Sequence, residues 1–569
     1  MAELQGKLNK LASETKEYCK NYLLFDLKAG FITAIVALPL AIAFAIASGV
    51  EPIMGLYTAI IAGILGSTFG GSRFSITGPT GAMTVVILST VQKFGIEGLL
   101  LTGFLAGIMQ LLLGLLKFGR FVKFIPFPVI SGFTAGIGVI IFIGQLGNAF
   151  GLTLSPKEHI WENIGQVIDH LGQAQQLAVG ITIITILCLL FLPKILSRFK
   201  ATRNIPSSLL PLLLSTAAVL IWALPIPIVG NIPSGLPTIH LISINFQLVK
   251  DVLPSAFTIA MLGIIEAMLC AVVCDGMSNT KHKSDKELIG QGVCNIIVPF
   301  FNGIPATAAI ARSAVNIREG AKTRMAGIIH GLILLIIILL LSPIAKYIPK
   351  AFLAGMLMYV SARMINVQEF RTIIKISRSE SIVLFATFGL TVLTDLVFAV
   401  EVGMVLAIFL VFVRLTSIID IRPMTEYSSD TSINNIIAAN PNLSGAVGVY
   451  TLNGPFFFGA MNVFDKKITE QLDVKKTVII LRMKYVPFVD STGVTRLNEF
   501  IKERQKEKSI VFLSGLHPVV KETLEKNEEF RKTFNQNHIF RKTIDALMYL
   551  EKNFHTLLLE QNKLGERKK

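Results

Sequence analysis

The sequence predicts an all-α polytopic membrane protein with a small α/β domain at its C-terminal end. Three observations lead to this class. Hydrophobic residues make up 52% of the 569 residues, and the mean hydropathy of +0.64 is above the soluble range. Apolar runs of membrane-spanning length follow one another from Gly30 to Leu415. Past Arg422 the pattern changes to alternating strand and helix segments.

Fourteen apolar runs are candidate membrane segments. The third and the tenth are shorter than the roughly 20 residues that a full span needs, so we expect partial helices there. The runs cover residues 30–49, 52–70, 79–91, 97–116, 125–148, 174–192, 206–224, 253–274, 287–301, 305–317, 325–345, 350–364, 380–398 and 401–418.

The net charge of +16 is spread over the short loops between these runs, which argues against a nucleic-acid-binding patch. If the N-terminus is placed on the cytoplasmic side, the loops on that side carry most Lys and Arg residues. The loops on the opposite side then hold little more than Lys93, Lys157, Lys250, Lys346 and Lys350. This asymmetry predicts that both termini lie in the cytoplasm.

The two halves of the membrane region share landmarks. Phe124-Ile125-Pro126 with Gly132 matches Tyr347-Ile348-Pro349 with Gly355. The offset between Pro79 and Pro305 is close to the offset between Pro126 and Pro349. Seven spans per half would invert the second copy, as in secondary transporters. Chance agreement is the alternative, because Pro and Gly are common in membrane helices.

The short third and tenth runs begin with irregular segments at residues 77–82 (TGPTGA) and 303–308 (GIPATA). A pair of interrupted helices at corresponding places is the best pointer to a transporter's binding site. Their free N-terminal amides carry partial positive charge, which favours an anion.

Glu266 lies inside the eighth run, where a carboxylate is costly unless it is paired, hydrated or protonated. We expect it to exchange a proton; the alternative is a neutral side chain that bonds a backbone carbonyl. Arg312 lies in the tenth run among small residues and offers a forked donor to an oxyanion. Its alternatives are a salt bridge to Glu266 or an extended side chain that reaches the inner surface.

Thr80 supplies a hydroxyl, and Gly81 and Ala82 supply amides, at the start of the third run. A tight helix start with no ligand would use the same residues. Phe44 in the first run faces either this site or the lipid and core.

The changes in composition along the chain predict four segments. These are residues 1–25 as an N-terminal cytoplasmic segment, 26–420 as the transmembrane domain, 421–442 as a linker and 443–569 as an α/β domain. Strands are expected at 446–452, 477–481 and 510–514, and helices at 461–472, 491–506 and 543–553. Asp490 or Ser491 is expected to cap the helix after the second strand.

The chain has no Gly-rich phosphate loop, metal cluster or nucleophile–base pair, so we expect no enzyme, metal or cofactor. Its five cysteines are expected to be free thiols.

These motifs resemble the SulP anion transporters, relatives of the solute-carrier-26 proteins. The resemblance covers nearly the whole chain, and the C-terminal domain resembles a STAS domain with its Asp490-Ser491-Thr492-Gly493 turn. The segments that carry it are 37–49, 55–57, 78–84 and 266–313, including HKS at 282–284, ELIGQG at 287–292 and ATAAIARS at 306–313.

The resemblance implies fourteen spans in a seven-plus-seven inverted repeat, a core domain that moves against a gate domain, and a homodimer. It places Glu266 as the ion-coupling carboxylate and Thr492 as the regulatory phosphate acceptor known from related STAS proteins. It implies an anion held near Phe44, Thr80, Gly81, Ala82, Ala308, Ala309 and Arg312.

Sodium-coupled bicarbonate members carry Asp at the position of Glu266 and Thr four residues on, where this chain has Cys270. A thiol is a poor sodium ligand, and the 266–312 region resembles proton-coupled C4-dicarboxylate transporters more closely. We therefore expect proton-coupled uptake of a C4-dicarboxylate or sulfate. The alternatives are a bicarbonate transporter, an uncoupled anion channel, and a scaffold whose STAS domain recruits a cytoplasmic partner. Membrane lipid is the expected surrounding, and nucleic acid is not an expected partner.

Overall fold

The computed structural model describes residues 17–120, 126–154, 160–198, 205–233, 235–394, 396–424, 441–473 and 476–566. The chain divides into two units, Met1–Val405 and Leu406–Lys569. The secondary structure described for the first unit is helical apart from two very short strands. The helices that contribute to it are α1 Leu23–Ala47, α2 Pro52–Phe69, α3 Gly81–Leu115, α4 Phe127–Gly144, α5 Leu146–Ala149, α6 Ile160–Asp169, α7 Gln176–Leu196, α8 Leu209–Trp222, α9 Phe246–Ser278, α10 Ser284–Ile297, α11 Ile310–Arg318, α12 Met325–Ala345, α13 Lys350–Met364, α14 Val367–Ile376, α15 Arg378–Leu393 and α16 Leu396–Ser417.

Eight helices within the described ranges are long and apolar enough to cross a membrane: α1, α2, α3, α4, α7, α9, α12 and the Phe398–Ser417 part of α16. The polytopic membrane class is therefore confirmed, while the count of fourteen spans stays a prediction. Helix α3 contains the third and fourth predicted runs. It is broken at Gly95, whose φ of 68° and ψ of −170° are not helical. The helix at the tenth run is the nine-residue α11, which begins only at Ile310.

The helices of this unit pack in two groups. Helices α1, α2, α3, α9, α10, α11 and α12 contact one another extensively, and α4, α7, α13 and α15 form a second group. Contacts of α13 with α1 and of α3 with α4 connect the two groups. The first group contains both interrupted segments.

Glycines bring the second half of α3 and helix α10 into backbone contact. A Cβ atom at Gly107 would lie 2.5 Å from the amide nitrogen of Ile296, and one at Gly292 would lie 2.5 Å from that of Leu111. Each glycine therefore faces backbone of the other helix. Small residues allow membrane helices to approach this closely, and dispersion contacts then hold them together.

Two two-residue strands cross the middle of the first group. Strand β1 (Thr77–Gly78) pairs antiparallel with β2 (Thr307–Ala308), with Thr77 opposite Ala308 and Gly78 opposite Thr307. Helix α3 begins three residues after β1, and α11 begins two residues after β2. The pairing therefore brings two helix N-termini to one place.

The predicted repeat landmarks occupy corresponding but not identical positions. Pro126 and Pro349 each immediately precede a helix, α4 or α13, whereas Phe124 and Ile125 lie outside the described residues. Pro79 follows its short strand, but Pro305 precedes its own. The structural equivalents are thus the paired strands and not these two prolines, because backbone pairing determines where each helix can begin.

The C-terminal unit contains a five-stranded sheet in the order β3-β4-β5-β6-β7. Strand β3 is antiparallel to β4, and the other neighbours are parallel. Its strands and helices are β3 Asp420–Pro423, α17 Pro441–Ala446, β4 Val447–Asn453, α18 Met461–Gln471, β5 Val478–Tyr485, α19 Ser491–Lys506, β6 Ile510–Ser514, α20 Pro518–Lys526, α21 Glu528–Thr533, β7 Ile539–Phe540 and α22 Thr543–Glu566.

The predicted strands and helices of this domain are confirmed, but its first and last strands, β3 and β7, were missed, as were helices α17, α20 and α21. Three residues of β3 lie in the segment 421–442 that the sequence predicted as linker. The tetrapeptide Asp420–Pro423 contains two charged residues and a proline, so it has no apolar run to indicate a strand. It is an edge strand, which requires only one hydrogen-bonding side.

Histidine 538 packs into the aromatic core of this domain. The centroid of its ring lies 4.6 Å from that of Phe512 and 6.2 Å from that of Phe534. Burial among these rings disfavours the charged imidazolium and lowers the pKa of His538 to about 4.

We predict that the C-terminal domain loses stability as the pH falls from about 6.5 to about 4. The unfolded chain binds a proton at His538 in this window while the folded chain does not, so the loss is at most about 3 kcal/mol and smaller where water reaches the ring. His538→Phe keeps the ring and removes the titration, so it should flatten the dependence. His517→Gln, at an exposed histidine, should leave it unchanged. The measurement is the urea concentration at the unfolding midpoint for the unmodified protein and both variants, at neutral and at acidic pH. An equal shift of the midpoint with pH in all three would contradict the role given to His538.

Candidate functional site

The paired strands β1 and β2 deliver two uncapped helix N-termini to one place. Thr80 precedes α3 and Ala309 precedes α11, and neither side chain caps its helix. The amide of Ala309 donates to the carbonyl of Ile76 at 2.9 Å, which extends the pairing by one bond. The first amides of a helix have no intrahelical acceptor, so both helix starts present donors and partial positive charge.

The hydroxyl of Thr80 donates to Oε2 of Glu266 at 2.7 Å instead of capping its own helix. Glu266 lies on α9 and is only partly buried, while Thr80 is buried. The sequence predicted both residues as site residues. The structure places the carboxylate one hydrogen bond from the start of α3, so a change in its charge acts directly at that helix start.

Arg312 is 1% exposed, and its Nη2 donates to the carbonyl of Pro79. Its Nη1 has no hydrogen-bond partner among the described residues. In that same part of the chain Arg312 forms no salt bridge, and its burial excludes an extended side chain at the inner surface. Neither alternative interpretation from the sequence matches this geometry. Buried guanidinium donors are normally satisfied, so the free Nη1 is a candidate donor to a bound anion.

Glycine is required at position 78 because the guanidinium packs against it. A Cβ atom there would lie 2.4 Å from Nη1 and 3.2 Å from Cζ of Arg312. The only side chain that leaves room for the arginine is a hydrogen atom. Residue 78 also pairs with Thr307, so the close contact lies within the strand pair itself.

Phe44 lies beside the start of α3. Its Cε1 is 3.2 Å from the position of a Cβ atom on Gly81, and Cδ1 of Ile141 is 2.9 Å from that position. Ala82 and Ala308 are buried, whereas Ala309 is partly accessible. The structure thus brings six of the predicted binding residues around the two helix starts, with Ala308 in the strand pair behind them.

The sequence analysis missed a buried polar network behind the second interrupted segment. Asn295 donates to the carbonyl of Ala306 at 2.9 Å and accepts from its amide at 2.7 Å. It also donates to Gln110 at 2.8 Å. Thr58 accepts from the amide of Ile304 at 2.7 Å. Amide side chains inside apolar helices were the signal that could have indicated this network.

A carboxylate binds the chain shortly before the first interrupted segment. Oε2 of Glu287 accepts from the amides of Gly71 and Ser72 at 2.7 and 2.8 Å. Gln291 bridges Oε1 of Glu287 at 3.2 Å and the hydroxyl of Thr77 at 3.1 Å. Glu287 is itself buried. Helix α10 therefore supports both interrupted segments from one side.

Cys270 is buried one helical turn after Glu266, and its sulfur lies 3.2 Å from the hydroxyl of Ser313. Sodium prefers oxygen ligands, and a thiol occupies the position where the resemblance implies a threonine in sodium-coupled members. In the second unit, Thr492 is exposed in the first turn of α19. Asp490 caps that helix by accepting from the amide of Gly493 at 2.7 Å, as predicted.

The model of the sulfate permease family matches residues 23–387, which is more than half of the chain. The chain belongs to the sulfate permease family. A STAS-domain model matches residues 439–546, which confirms the predicted C-terminal domain. The resemblance drawn from the motifs is thereby confirmed at the level of the family.

Relatives in this family are transporters. The chain is 37% identical over 518 residues to YvdB of Bacillus subtilis, named as a candidate sulfate transporter; the match covers 89% of this chain and 94% of that protein. It is 31% identical over 520 residues to the bicarbonate transporter BicA of Synechocystis, with 89% and 90% covered. These relatives support anion transport and the expectation that the protein is not an enzyme.

Two solved structures agree with this sulfate permease fold. SLC26A9 superposes with a TM-score of 0.85 at 19% identity, covering 99% of this chain and 96% of that one. The transmembrane domain of a cyanobacterial BicA gives a TM-score of 0.60 at 32% identity, covering 68% and 97%. The fold is therefore that of the solute-carrier-26 anion transporters.

We predict that Gly78→Ala lowers anion uptake about tenfold or more. The new methyl group displaces the guanidinium from Pro79, and a buried charged donor without its acceptor costs more than about 1.4 kcal/mol, which is a factor of ten. Uptake into proteoliposomes, normalised to folded protein, measures the effect. Gly180→Ala is the matched control, because a Cβ atom there meets nothing within 4 Å. Equal uptake by both variants would show that the contact between Gly78 and Arg312 is unimportant.

Proposed function

We propose that this protein is a secondary active transporter that takes up an oxyanion together with a proton by alternating access. The anion lies between the starts of α3 and α11, and Glu266 carries the proton. The hydrogen bond between Thr80 and Glu266 is the observation that supports this proposal most strongly, because it connects a titratable group to the anion-binding helix start.

Electrostatic repulsion accounts for the coupling. An ionised Glu266 and an anion at the neighbouring helix start repel each other; two like charges about 4 Å apart do so by roughly 4 kcal/mol at an effective dielectric constant of about 20. A proton on Glu266 removes this repulsion. Proton and anion therefore bind together more readily than either binds alone, which is the requirement for symport.

The hydroxyl of Thr80 adds a second contribution to the coupling, because its hydrogen bond with Glu266 can be donated in either direction. An ionised carboxylate only accepts, so the hydroxyl proton points at Glu266. A protonated carboxyl donates, and it can turn this bond round by donating to the oxygen of Thr80. The hydroxyl is then free to donate to the anion. Loading of the proton thus adds a donor to the anion site.

For the substrate we propose a C4-dicarboxylate first and sulfate second. The site offers two separate sets of donors, the helix starts and the free Nη1 of Arg312, which suit an anion with oxygens on opposite sides. The similarity to YvdB favours sulfate as the second candidate. The similarity to BicA makes bicarbonate the third.

The cellular location and the assembly are proposed from the sequence and from the family resemblance. We propose a bacterial inner-membrane protein with both termini in the cytoplasm, a homodimer, and a cytoplasmic partner for the STAS domain. An uncoupled anion channel remains the functional alternative, since a channel needs no buried titratable group.

We predict that Glu266→Gln abolishes accumulation of labelled anion driven by an imposed pH gradient, because glutamine keeps the shape but carries no proton. Exchange of labelled for unlabelled anion across the same membrane should continue, since exchange needs no net proton movement. Glu97→Gln is the matched control. The carboxylate of Glu97 is partly exposed, lies far from Glu266 in the sequence and contacts His240 at 2.9 Å. Undiminished accumulation by Glu266→Gln would contradict proton coupling.

The substrate is identified by supplying labelled succinate, fumarate, sulfate and bicarbonate separately to proteoliposomes under a pH gradient or a sodium gradient. We expect accumulation of succinate or sulfate under the pH gradient alone. Uptake driven by sodium and indifferent to pH would overturn the choice of coupling ion. Anion flux that runs only down the anion's own concentration gradient, with no accumulation under either the pH or the sodium gradient, would favour the channel.

A further inference from the structure

A cavity of about 500 Å³ in the membrane unit is lined by cationic side chains. It lies between the end of α2, the α9–α10 connection and the start of α12, in loops that the charge distribution predicts to be cytoplasmic. Its lining contains five cations and, among the described residues, no acid. The cations are Arg73, Lys281, Lys283, Lys286 and Arg324.

The carboxylates near this basic cavity are already engaged. Glu287 accepts from two backbone amides of the α2–β1 connection. Asp285 accepts from the amide of Gly119 at 2.9 Å. Asp275 lies 2.7 Å from His282. Across the described part of the chain, none of the five cavity cations forms an ion pair, so no carboxylate occupies the binding positions of their charged groups.

The wall of the basic cavity is held by backbone contacts. Arg324 donates to the carbonyls of Gly70 and Gly71 at 2.5 and 3.4 Å. The amide of Lys283 donates to the carbonyl of Gly71 at 3.3 Å. A Cβ atom at Gly71 would lie 2.0 Å from the carbonyl oxygen of Lys283. The two connections therefore touch, which fixes the backbone of the cavity wall and the side chain of Arg324 before any ligand arrives.

We infer that the basic cavity binds a ligand that carries two or more phosphate groups. Five like charges around one space repel one another, and a single dianion of the transported kind would leave most of that charge uncompensated. The volume suits a small molecule or a head group. Lysine and arginine are the usual phosphate donors.

Two sources supply this chemistry. Basic clusters beside membrane helices bind anionic lipid head groups, and soluble polyphosphates offer the same oxygens. The site is separate from the anion site at the helix starts, so it goes beyond the proposed transport function. The ligand would contact Gly71, six residues before the paired strand β1.

The full-length protein is tested with two probes. Inorganic tripolyphosphate is titrated by calorimetry into protein in neutral detergent. Separately, thermal unfolding is compared in phosphatidylcholine nanodiscs with and without cardiolipin. The test variant carries Lys281→Gln and Lys286→Gln. The control carries Lys194→Gln and Lys375→Gln, two exposed lysines outside the cavity whose removal lowers the net charge equally.

We expect saturable binding of at least one probe, weakened about tenfold or more in the test variant and nearly unchanged in the control. Binding of tripolyphosphate without an effect of cardiolipin indicates a soluble ligand. Stabilisation by cardiolipin that the test variant loses and the control keeps indicates a lipid head group. Binding of neither probe, or equal weakening in both variants, would overturn the inference, because the cavity would then be only a solvated charged surface.

Discussion

The pairing of two very short strands inside a membrane unit is the constraint on which the rest of this structure depends. Unpaired backbone groups are expensive in lipid, so irregular chain is tolerated there only when its hydrogen bonds are made within the protein. Thr77 and Gly78 satisfy this requirement with Ala308 and Thr307. The same pairing leaves the first amides of α3 and α11 without acceptors. The arrangement that makes the irregular segments stable is therefore also the one on which the proposed anion site depends.

Side chains on neighbouring helices hold this pair in place. Asn295 binds both backbone groups of Ala306, and Glu287 binds two amides before β1. Thr307 donates to the carbonyl of Gly263 on α9, the helix that also carries Glu266. Buried polar groups of this kind rigidify a structure when their partners are present. Movement of α9 or α10 would consequently carry the site with it as one body.

Much of this could be predicted from the sequence, for identifiable reasons. The short apolar runs showed where helices were interrupted, and Glu266 stood out because a carboxylate is rare in such a run. What failed depended on packing. An ion pair and a surface position stayed open as alternatives for Arg312, because sequence cannot show that the carbonyl of Pro79 lies within its reach. Strand β3 was missed because pairing with β4, not its own composition, makes it a strand.

The most direct test of the account is a high-resolution experimental structure of the protein with the anion that it accumulates in liposomes. The account predicts density for that anion between the amides that begin α3 and α11, within hydrogen-bond distance of both and beside Thr80. Density at any other place in the membrane unit, or helix starts too far apart to share one anion, would contradict it.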